Sequence, residues 1–298
     1  MEQAIVIDNV DTVKKRVGNT GFGNRFDNDI DQALAAGKTE MRFFTSEVIE
    51  NKKMDFEPEI KVNESKGYYN GYKATLHNED GTTVEHWFKA SDRITINEAY
   101  ILMMDQQHPR AVYKTYYDEK GEKYGQWLQF DFTQKTENGN YLTKRFNDYD
   151  LVGKLNDFAF VGLSSEKQRI TAAAYMAEGR EIAVTPVNQE NYPQVFVRAN
   201  PERGTITIMD EGGKPLYHDQ FRTEEARQRV QQEKNTRQST VSLVKDSRQE
   251  QTDGMAGSLP ENTDTLKKKN NTEPAESLTP NKRPRVLLEE EIKKGKSI

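Results

Sequence analysis

Apolar and polar residues alternate along residues 68–90, which is the pattern of two strands that share one buried face. The polar run 78–81, Asn-Glu-Asp-Gly, interrupts the alternation and has the composition of a turn. The pattern therefore predicts an antiparallel hairpin. Tyr72, Ala74 and Leu76 alternate with more polar residues in the first strand, and Val84, His86, Phe88 and Ala90 alternate with their neighbours in the second.

Two helices are predicted from the residues at their starts. Thr95 stands three positions before Glu98, and Ser165 stands three positions before Gln168. In such a capping box each side chain bonds an exposed backbone amide of the first helical turn. The sequence predicts helices over residues 96–107 and 165–178. Gly179 ends the second, as glycine commonly does just past a helix.

A three-stranded meander is predicted between these helices, with strands at 112–117, 124–132 and 141–146 separated by turn residues. In its middle strand, Leu128, Phe130 and Phe132 share one face, which we predict to be core. The other face carries Trp127, Gln129 and Asp131, which we predict to be semi-exposed. Two or three more strands rich in β-branched residues are predicted, from the segments 181–185, 194–199 and 205–209.

The remaining segments are simpler. We predict a helix over 28–36, a strand over 40–46 and a surface helix over 223–234. The charged stretch 50–66 and the glycine-rich stretch 18–23 are predicted to be connectors. The segments are these: 1–66, an N-terminal helix-strand segment with the charged connector; 67–160, an aromatic-rich antiparallel unit; 161–234, a second α+β unit; and 235–298, a tail.

These elements predict an α+β fold of antiparallel hairpins and meanders with short helices packed on them. A short internal similarity, LAAGK at 34–38 and MAEGR at 176–180, leaves open whether the fold holds two similar helix-plus-sheet units. The tail from Asn235 carries none of the 28 aromatic residues, and its polar, charged composition predicts disorder.

Charge and composition limit the classes of function. The first 234 residues hold 31 Lys and Arg against 38 Asp and Glu, whereas the tail holds 12 against 10. A mildly acidic body is a poor surface for duplex DNA, whose binding draws affinity from clustered cations. The absence of cysteine suits a reducing compartment, and the sequence has neither a signal peptide nor a long apolar run. We expect a cytoplasmic protein that does not enter a membrane.

No catalytic or cofactor-binding pattern is found. The four histidines, His77, His86, His108 and His218, lack metal-ligand spacing, and His77 and His86 are expected to form a cross-strand surface pair at most. The stretch GNTGFG at 18–23 lacks the Gly-Lys-Ser/Thr ending of a phosphate loop. We therefore expect no enzyme, no cofactor and no metal.

Aromatic residues are dense on the predicted strands and have basic neighbours. Exposed rings beside cations can stack the bases of single-stranded nucleic acid, although strands also bury aromatics as core. The predicted contact surface consists of Trp87, Trp127, Lys89, Lys114 and Arg145. Two basic blocks of the tail are further candidates for phosphate contacts: Lys267, Lys268, Lys269, and Lys282, Arg283, Arg285.

Several motifs in order resemble an uncharacterised protein family encoded on conjugative and mobilisable elements of Bacteroides-type bacteria. They are EHWFKAS at 85–91, ITINEAYILMM at 94–104, RAVYKTYYDEKGEKYGQWLQFDF at 110–132, NGNY at 138–141 and VFVRANPERGTITIMDEGGKPL at 195–216. The chain departs from the family pattern at QQHP, 106–109, and at DYDL, 148–151. The resemblance implies a setting among mobilisation genes. It carries over no catalytic residue.

Two functions are expected from the sequence. The first is a non-enzymatic accessory protein of a mobile genetic element, such as a conjugative transposon, that binds a protein partner through its aromatic-rich sheets. The alternative is a factor that binds single-stranded nucleic acid during conjugative transfer or mobilisation. Both use the contact surface, and they differ in whether binding depends on salt.

Overall fold

The computed structural model describes residues 4–188 and 190–249, with side chains to residue 236, and confirms the α+β class with antiparallel sheets. The helices are α1 (Val10–Val17), α2 (Asp27–Ala35), α3 (Ile96–Met103), α4 (Leu151–Leu155), α5 (Glu166–Ala177) and α6 (Glu224–Gln249). The strands are β1 (Glu40–Arg42), β2 (Thr45–Ile49), β3 (Lys52–Asn63), β4 (Lys66–His77), β5 (Thr83–Lys89), β6 (Ala111–Tyr117), β7 (Lys123–Lys135), β8 (Tyr141–Phe146), β9 (Phe160–Val161), β10 (Ile182–Pro186), β11 (Val195–Asn200) and β12 (Thr205–Met209).

The first sheet has the order β1-β3-β4-β5, and β2 pairs with β3 as well. The predicted hairpin is confirmed as β4 and β5. The prediction of a connector at 50–66 is wrong, because β3 lies there and pairs with β4 from Met54 to Asn63. Met54, Phe56 and Ile60 of β3 are buried, and the charged residues between them hid their strand pattern.

Two of the predicted segment boundaries fall inside strands. The boundary at 66/67 lies in β4, and the boundary at 160/161 lies in β9. Residues 40–63 and 66–89 thus belong to one sheet, joined by the hydrogen bonds between β3 and β4.

The glycine-rich stretch 18–23 is folded rather than a flexible connector. It continues α1 as a π-helical turn, Gly18–Phe22, in which Thr20 and Phe22 are buried. The Phe22 ring meets the Tyr72 ring edge-on, with the centroids 5.5 Å apart. Because this ring anchors the stretch to the first sheet, its glycine content does not make it a loose connector.

The meander β6-β7-β8 lies between two hydrophobic cores. Leu128 and Phe130 belong to the first core, which contains the first sheet with α1, α2 and α3. Trp127 belongs to the second, which contains α4, α5 and the sheet β12-β11-β10-β9. The prediction that Trp127, Gln129 and Asp131 are semi-exposed is therefore wrong: all three are buried. A strand covered on both faces cannot be recognised from its own alternation.

Both predicted capping boxes are present, at the starts of α3 and α5. Gly179 ends α5 with a φ of 80°, as predicted. A Cβ at Gly179 would stand 2.5 Å from Ile101 and 3.2 Å from the Ala111 carbonyl oxygen. Only glycine allows the end of α5 to come this close to α3 and β6.

An ion cluster also links residues that precede the meander with residues that follow it. Arg198 of β11 is buried and pairs with Glu181 at 3.0 Å and with Asp105 at 3.6 Å. Arg110 pairs with the same Glu181 at 2.9 Å. Burial lowers the pKa of Arg198 and outweighs the attraction of Glu181. Asp105 and Arg110 precede the meander, whereas Glu181 and Arg198 follow it. The cluster therefore holds these two parts of the chain together.

The last helix is longer than predicted. α6 runs to Gln249, whereas the prediction ended it near Lys234 and placed residues 235–249 in the tail. No proline or glycine interrupts residues 224–249, so nothing in the sequence stops the helix there. The rest of the predicted disordered tail, residues 250–298 with both basic blocks, lies outside the described residues.

Candidate functional site

A cleft of about 1160 Å³ lies where α1, the first sheet, the meander and α5 meet. The connection between β5 and α3 and the strand β6 also line it. Five cations line this cleft against two carboxylates, in a body whose overall balance is acidic. The cations are Arg16, Lys89, Arg93, Lys114 and Lys123, and the carboxylates are Glu98 and Glu178.

Different elements supply the cations. Arg16 stands in the last turn of α1, and Lys89 ends β5. Arg93 lies between β5 and α3, in a left-handed conformation with φ 57° and ψ 27°. Lys114 belongs to β6, and Lys123 begins β7. Residues far apart in sequence thus converge because α1 and the meander flank the end of the first sheet.

Both carboxylates of the cleft are already paired. Lys114 Nζ lies 2.8 Å from Glu98 Oε2, and both side chains are mostly buried. The same Glu98 oxygen accepts a hydrogen bond from the Thr95 backbone amide at 2.8 Å, which completes the cap of α3. Glu178 pairs with Arg180 at 3.2 Å. The negative charge in the cleft is therefore neutralised by neighbours.

Three of the cations have no such partner. Arg16, Lys89 and Arg93 are exposed, and none of them forms an ion pair with any residue of 4–188 or 190–236. The cleft therefore presents a positive charge that the rest of the described protein does not neutralise. This arrangement attracts anions.

Tyrosine rings and small polar groups complete the cleft. Tyr69, Tyr113 and Tyr117 line it, and 61% of Tyr117 is exposed. The Tyr69 hydroxyl lies 3.1 Å from Thr20 Oγ1, and burial raises the pKa of Tyr69, so its ring stays neutral. Asn19, Asn70 and Ser91 add amide and hydroxyl groups. The lining can therefore contact charged, aromatic and hydrogen-bonding parts of a ligand.

The five residues of the predicted contact surface have different positions. Lys89 and Lys114 line the cleft. Trp127 does not belong to any surface, because only 1% of it is exposed; the prediction of a contact role is wrong for this residue. Trp87 is half-buried on the outer side of β5, outside the cleft, and its backbone amide donates to Asn140 Oδ1 at 2.9 Å.

Arg145 lies beside the cleft and holds one of its walls. It pairs with Asp92 at 2.8 Å, and its guanidinium lies 6.0 Å from the Tyr116 ring centre. The Tyr116 hydroxyl donates to the Asp92 carbonyl oxygen at 3.2 Å. β6 and β8 thereby fix the turn that carries Arg93.

The histidines do not form the predicted cross-strand surface pair. His86 is opposite Ala74 and buried, with its ring 4.2 Å from that of Phe130. His77 Nε2 lies 2.6 Å from Asp55 Oδ2. Burial raises the pKa of Asp55, but hydrogen bonds from Ser46, His77 and Lys53 outweigh it and lower the value. Among the described residues no group of three His, Asp or Glu side chains could hold a metal ion.

Sequence reasoning missed Arg16 and Arg93. Arg16 lies on α1, a helix that was not predicted. A signal for Arg93 did exist, because only four residues, 91–94, separate the predicted hairpin, which ends at Ala90, from the cap at Thr95. The chain must therefore turn sharply there.

In the part of the chain that the structure describes, no helix combines the length and apolar character needed to cross a membrane. Comparison of the chain with protein-family models, with curated proteins and with solved structures finds no match.

Proposed function

We propose that the protein is a non-enzymatic accessory factor that binds single-stranded nucleic acid in the basic cleft. The observation that supports this most strongly is the set of three exposed cations, Arg16, Lys89 and Arg93, which converge on one cleft without an ion-pair partner among the described residues. Phosphate groups bind such cations and release counterions, which is the main source of affinity for nucleic acids.

The shape and lining of the cleft favour a single strand over a duplex. Proteins that read duplex DNA place a protruding helix or ribbon in a groove, whereas these cations line a concavity. An unpaired strand is flexible enough to enter, and its bases can stack on tyrosine rings such as Tyr117. Asn19 and Asn70 offer amide groups to base edges.

The first function expected from the sequence, a protein partner bound through aromatic-rich sheets, has less support. It relied on Trp127, which is buried. The charge of the cleft suits a polyanion, and the resemblance to a family carried on conjugative elements suits a ligand that occurs there as single strands. A protein partner is therefore an outcome of the test rather than the proposal.

The test measures binding of a fluorescent oligothymidine to the full chain by anisotropy, over a range of salt concentrations. We expect the cleft variant R16A/K89A/R93A to bind much more weakly and to reduce the slope of log K against log salt by about 2, since each phosphate contact on a single strand contributes about 0.7. The matched control is K38A/K167A/K214A, which removes three exposed lysines that form no ion pair with the described residues.

A third variant separates the tail from the cleft, with Lys267, Lys268, Lys269, Lys282, Arg283 and Arg285 replaced by alanine. If this variant loses all binding while the cleft variant binds like the control, the cleft has no such role. The first function would be favoured instead if the wild-type chain does not bind the oligonucleotide but binds one specific protein through the outer side of β5, which carries Trp87 (the Trp87 face).

A further inference from the structure

We infer that Arg93 is the phosphate anchor of the cleft, a guanidinium set in place before the ligand arrives, whereas Arg16 and Lys89 supply only general attraction. This inference rests on the proposed function, since it names the residue that would fix the strand. It is carried by the backbone of Arg93, by its one side-chain hydrogen bond to the described residues and by the contacts of the turn around it.

The backbone of Arg93 is the first argument. Its φ of 57° lies in the left-handed region, which glycine adopts freely and which costs a residue with a Cβ about 1 kcal/mol or more. In residues 4–188 and 190–249 the other non-glycine residues with positive φ are Glu50, Asn51 and Glu64, each in or beside a turn between two strands. Only Arg93 among them lines the cleft. An outlier of this kind points to a use for the side chain.

The orientation of the guanidinium is the second argument. Arg93 Nη1 donates to the Thr115 carbonyl oxygen of β6 at 3.2 Å, and both residues line the cleft. Nε and Nη2 make no hydrogen bond with the described residues. These two groups form one edge of the planar fork, which matches two oxygens of a phosphate. The bond of Nη1 therefore orients the guanidinium, while the edge formed by Nε and Nη2 stays available to bind a phosphate.

The support of the turn is the third argument. Asp92, next to Arg93, is held by Arg145 of β8 at 2.8 Å and by the Tyr116 hydroxyl of β6 at 3.2 Å. The Arg93 amide donates to the Ala90 carbonyl oxygen at 3.3 Å. Arg145, predicted from sequence as a contact residue, is thus a positioning residue for Arg93.

Arg16 and Lys89 lack this support. Both are exposed, and no side-chain hydrogen bond or ion pair to the described residues orients either of them. Long unrestrained side chains lose rotamer freedom when they bind, so each should contribute less than a fork that is already aimed.

The experiment compares R93K and R93G in the full chain, with E64G as control. R93K keeps the charge and loses the fork, and we expect its affinity for oligothymidine to fall about tenfold. R93G relieves the left-handed strain, so its melting temperature should stay level or rise by about 2 °C while its affinity for oligothymidine falls further than that of R93K. E64G relieves the same strain at an exposed turn outside the cleft, and it should bind like wild type.

Two further measurements identify the phosphate and separate this inference from the proposed function. An oligothymidine with an uncharged methylphosphonate backbone should bind weakly and equally to wild type and R93K. Inorganic pyrophosphate should shift the Nε–Hε NMR signal of Arg93 in wild type. If oligothymidine does not bind but pyrophosphate shifts this signal, the anchor stands and the proposed function fails. R93K that binds oligothymidine like wild type, R93G that melts well below wild type, or an Arg93 signal that ignores pyrophosphate would each overturn the anchor.

Discussion

The two ends of the meander use similar residues for different purposes. At one end β7 carries Trp127, Leu128 and Phe130, which are buried between the two cores. At the other end Tyr117 and Lys123 lie at the surface and line the cleft. Both ends are aromatic and lie close to basic residues in sequence, yet one end holds the fold together and the other offers contacts.

The difference teaches that position relative to the cores, rather than composition, decides the role of an aromatic strand residue. Burial changes along β7, from exposed at Lys123 and Tyr124 to buried from Trp127 to Asp131, so one strand leaves the interior within a few residues. Aromatic rings at the exposed end present a flat apolar surface to solvent, and the cations beside them present their charge. Four changes can break or sharpen this comparison.

The largest expected effect is on stability at the buried end. Replacing Trp127 by Ala removes a side chain that is fully enclosed between the cores, and we expect it to lower the free energy of unfolding by about 3–5 kcal/mol. Chemical denaturation measures this loss. Molecules that remain folded should bind oligothymidine normally, and a large loss of affinity in stably folded W127A would contradict the division between the two ends.

The next effect is a loss of stability in acid, caused by His86. Burial against Phe88 and Phe130 lowers the pKa of His86 to about 4, from 6.5. The unfolded chain therefore binds a proton that the folded chain does not. The contribution of neutral His86 to the free energy of unfolding is fully present above pH 6.5. It is lost as the pH drops towards 4, which lowers the free energy of unfolding by about 3 kcal/mol.

Denaturation at a series of pH values tests this step. The variant H86L should lose this part of the acid dependence, whereas H77N, which keeps His86, should retain it. Identical pH profiles for wild type and H86L would show that His86 does not titrate across the folding transition.

A smaller effect is expected at the exposed end. Y117A should change the free energy of unfolding by no more than about 0.5 kcal/mol, because the ring is mostly exposed. It should weaken oligothymidine binding by about 1–2 kcal/mol, the contribution of one stacked base. Anisotropy and denaturation on the same sample give both numbers. Unchanged affinity would remove Tyr117 from the site.

The smallest effect separates the two capping boxes. T95A and S165A each remove one helix cap and should cost about 1 kcal/mol of stability. Only T95A also removes the hydroxyl that donates to Glu98 Oε2 at 3.0 Å, and Glu98 is the carboxylate that holds Lys114 in the cleft. We therefore expect T95A to weaken oligothymidine binding by a few tenths of a kcal/mol, while S165A leaves it unchanged. Equal affinities of T95A and S165A for oligothymidine would mean that binding does not depend on how Glu98 orients Lys114.

Local patterns predicted much of the fold. The hairpin of β4 and β5, both capping boxes and the meander follow from alternation and from cap residues, which act over a few positions. β3 was missed because charged residues between Met54, Phe56 and Ile60 carry the outer face. The burial of Trp127 could not be predicted from β7, since it depends on a second core built mainly from residues after 150.

The cleft was less predictable than the fold. Lys89 and Lys114 were identified by their place on aromatic strands, and both line it. Arg16 and Arg93 meet them only through tertiary packing of α1 and of the turn before α3. A cation is available to a ligand only when no carboxylate of the protein neutralises it. No local sequence pattern shows that Lys114 forms an ion pair with Glu98 while Arg93 forms none with the described residues.

Cross-linking gives the most direct test of the claim that the basic cleft holds a single strand. Oligothymidine with 5-iodouracil at one position would be irradiated with the full chain, and the modified residues identified by mass spectrometry. We predict adducts on Tyr113 or Tyr117, which disappear in R16A/K89A/R93A and persist in K38A/K167A/K214A. Adducts confined to the Trp87 face or to residues after 249, with none in the cleft, would contradict the account.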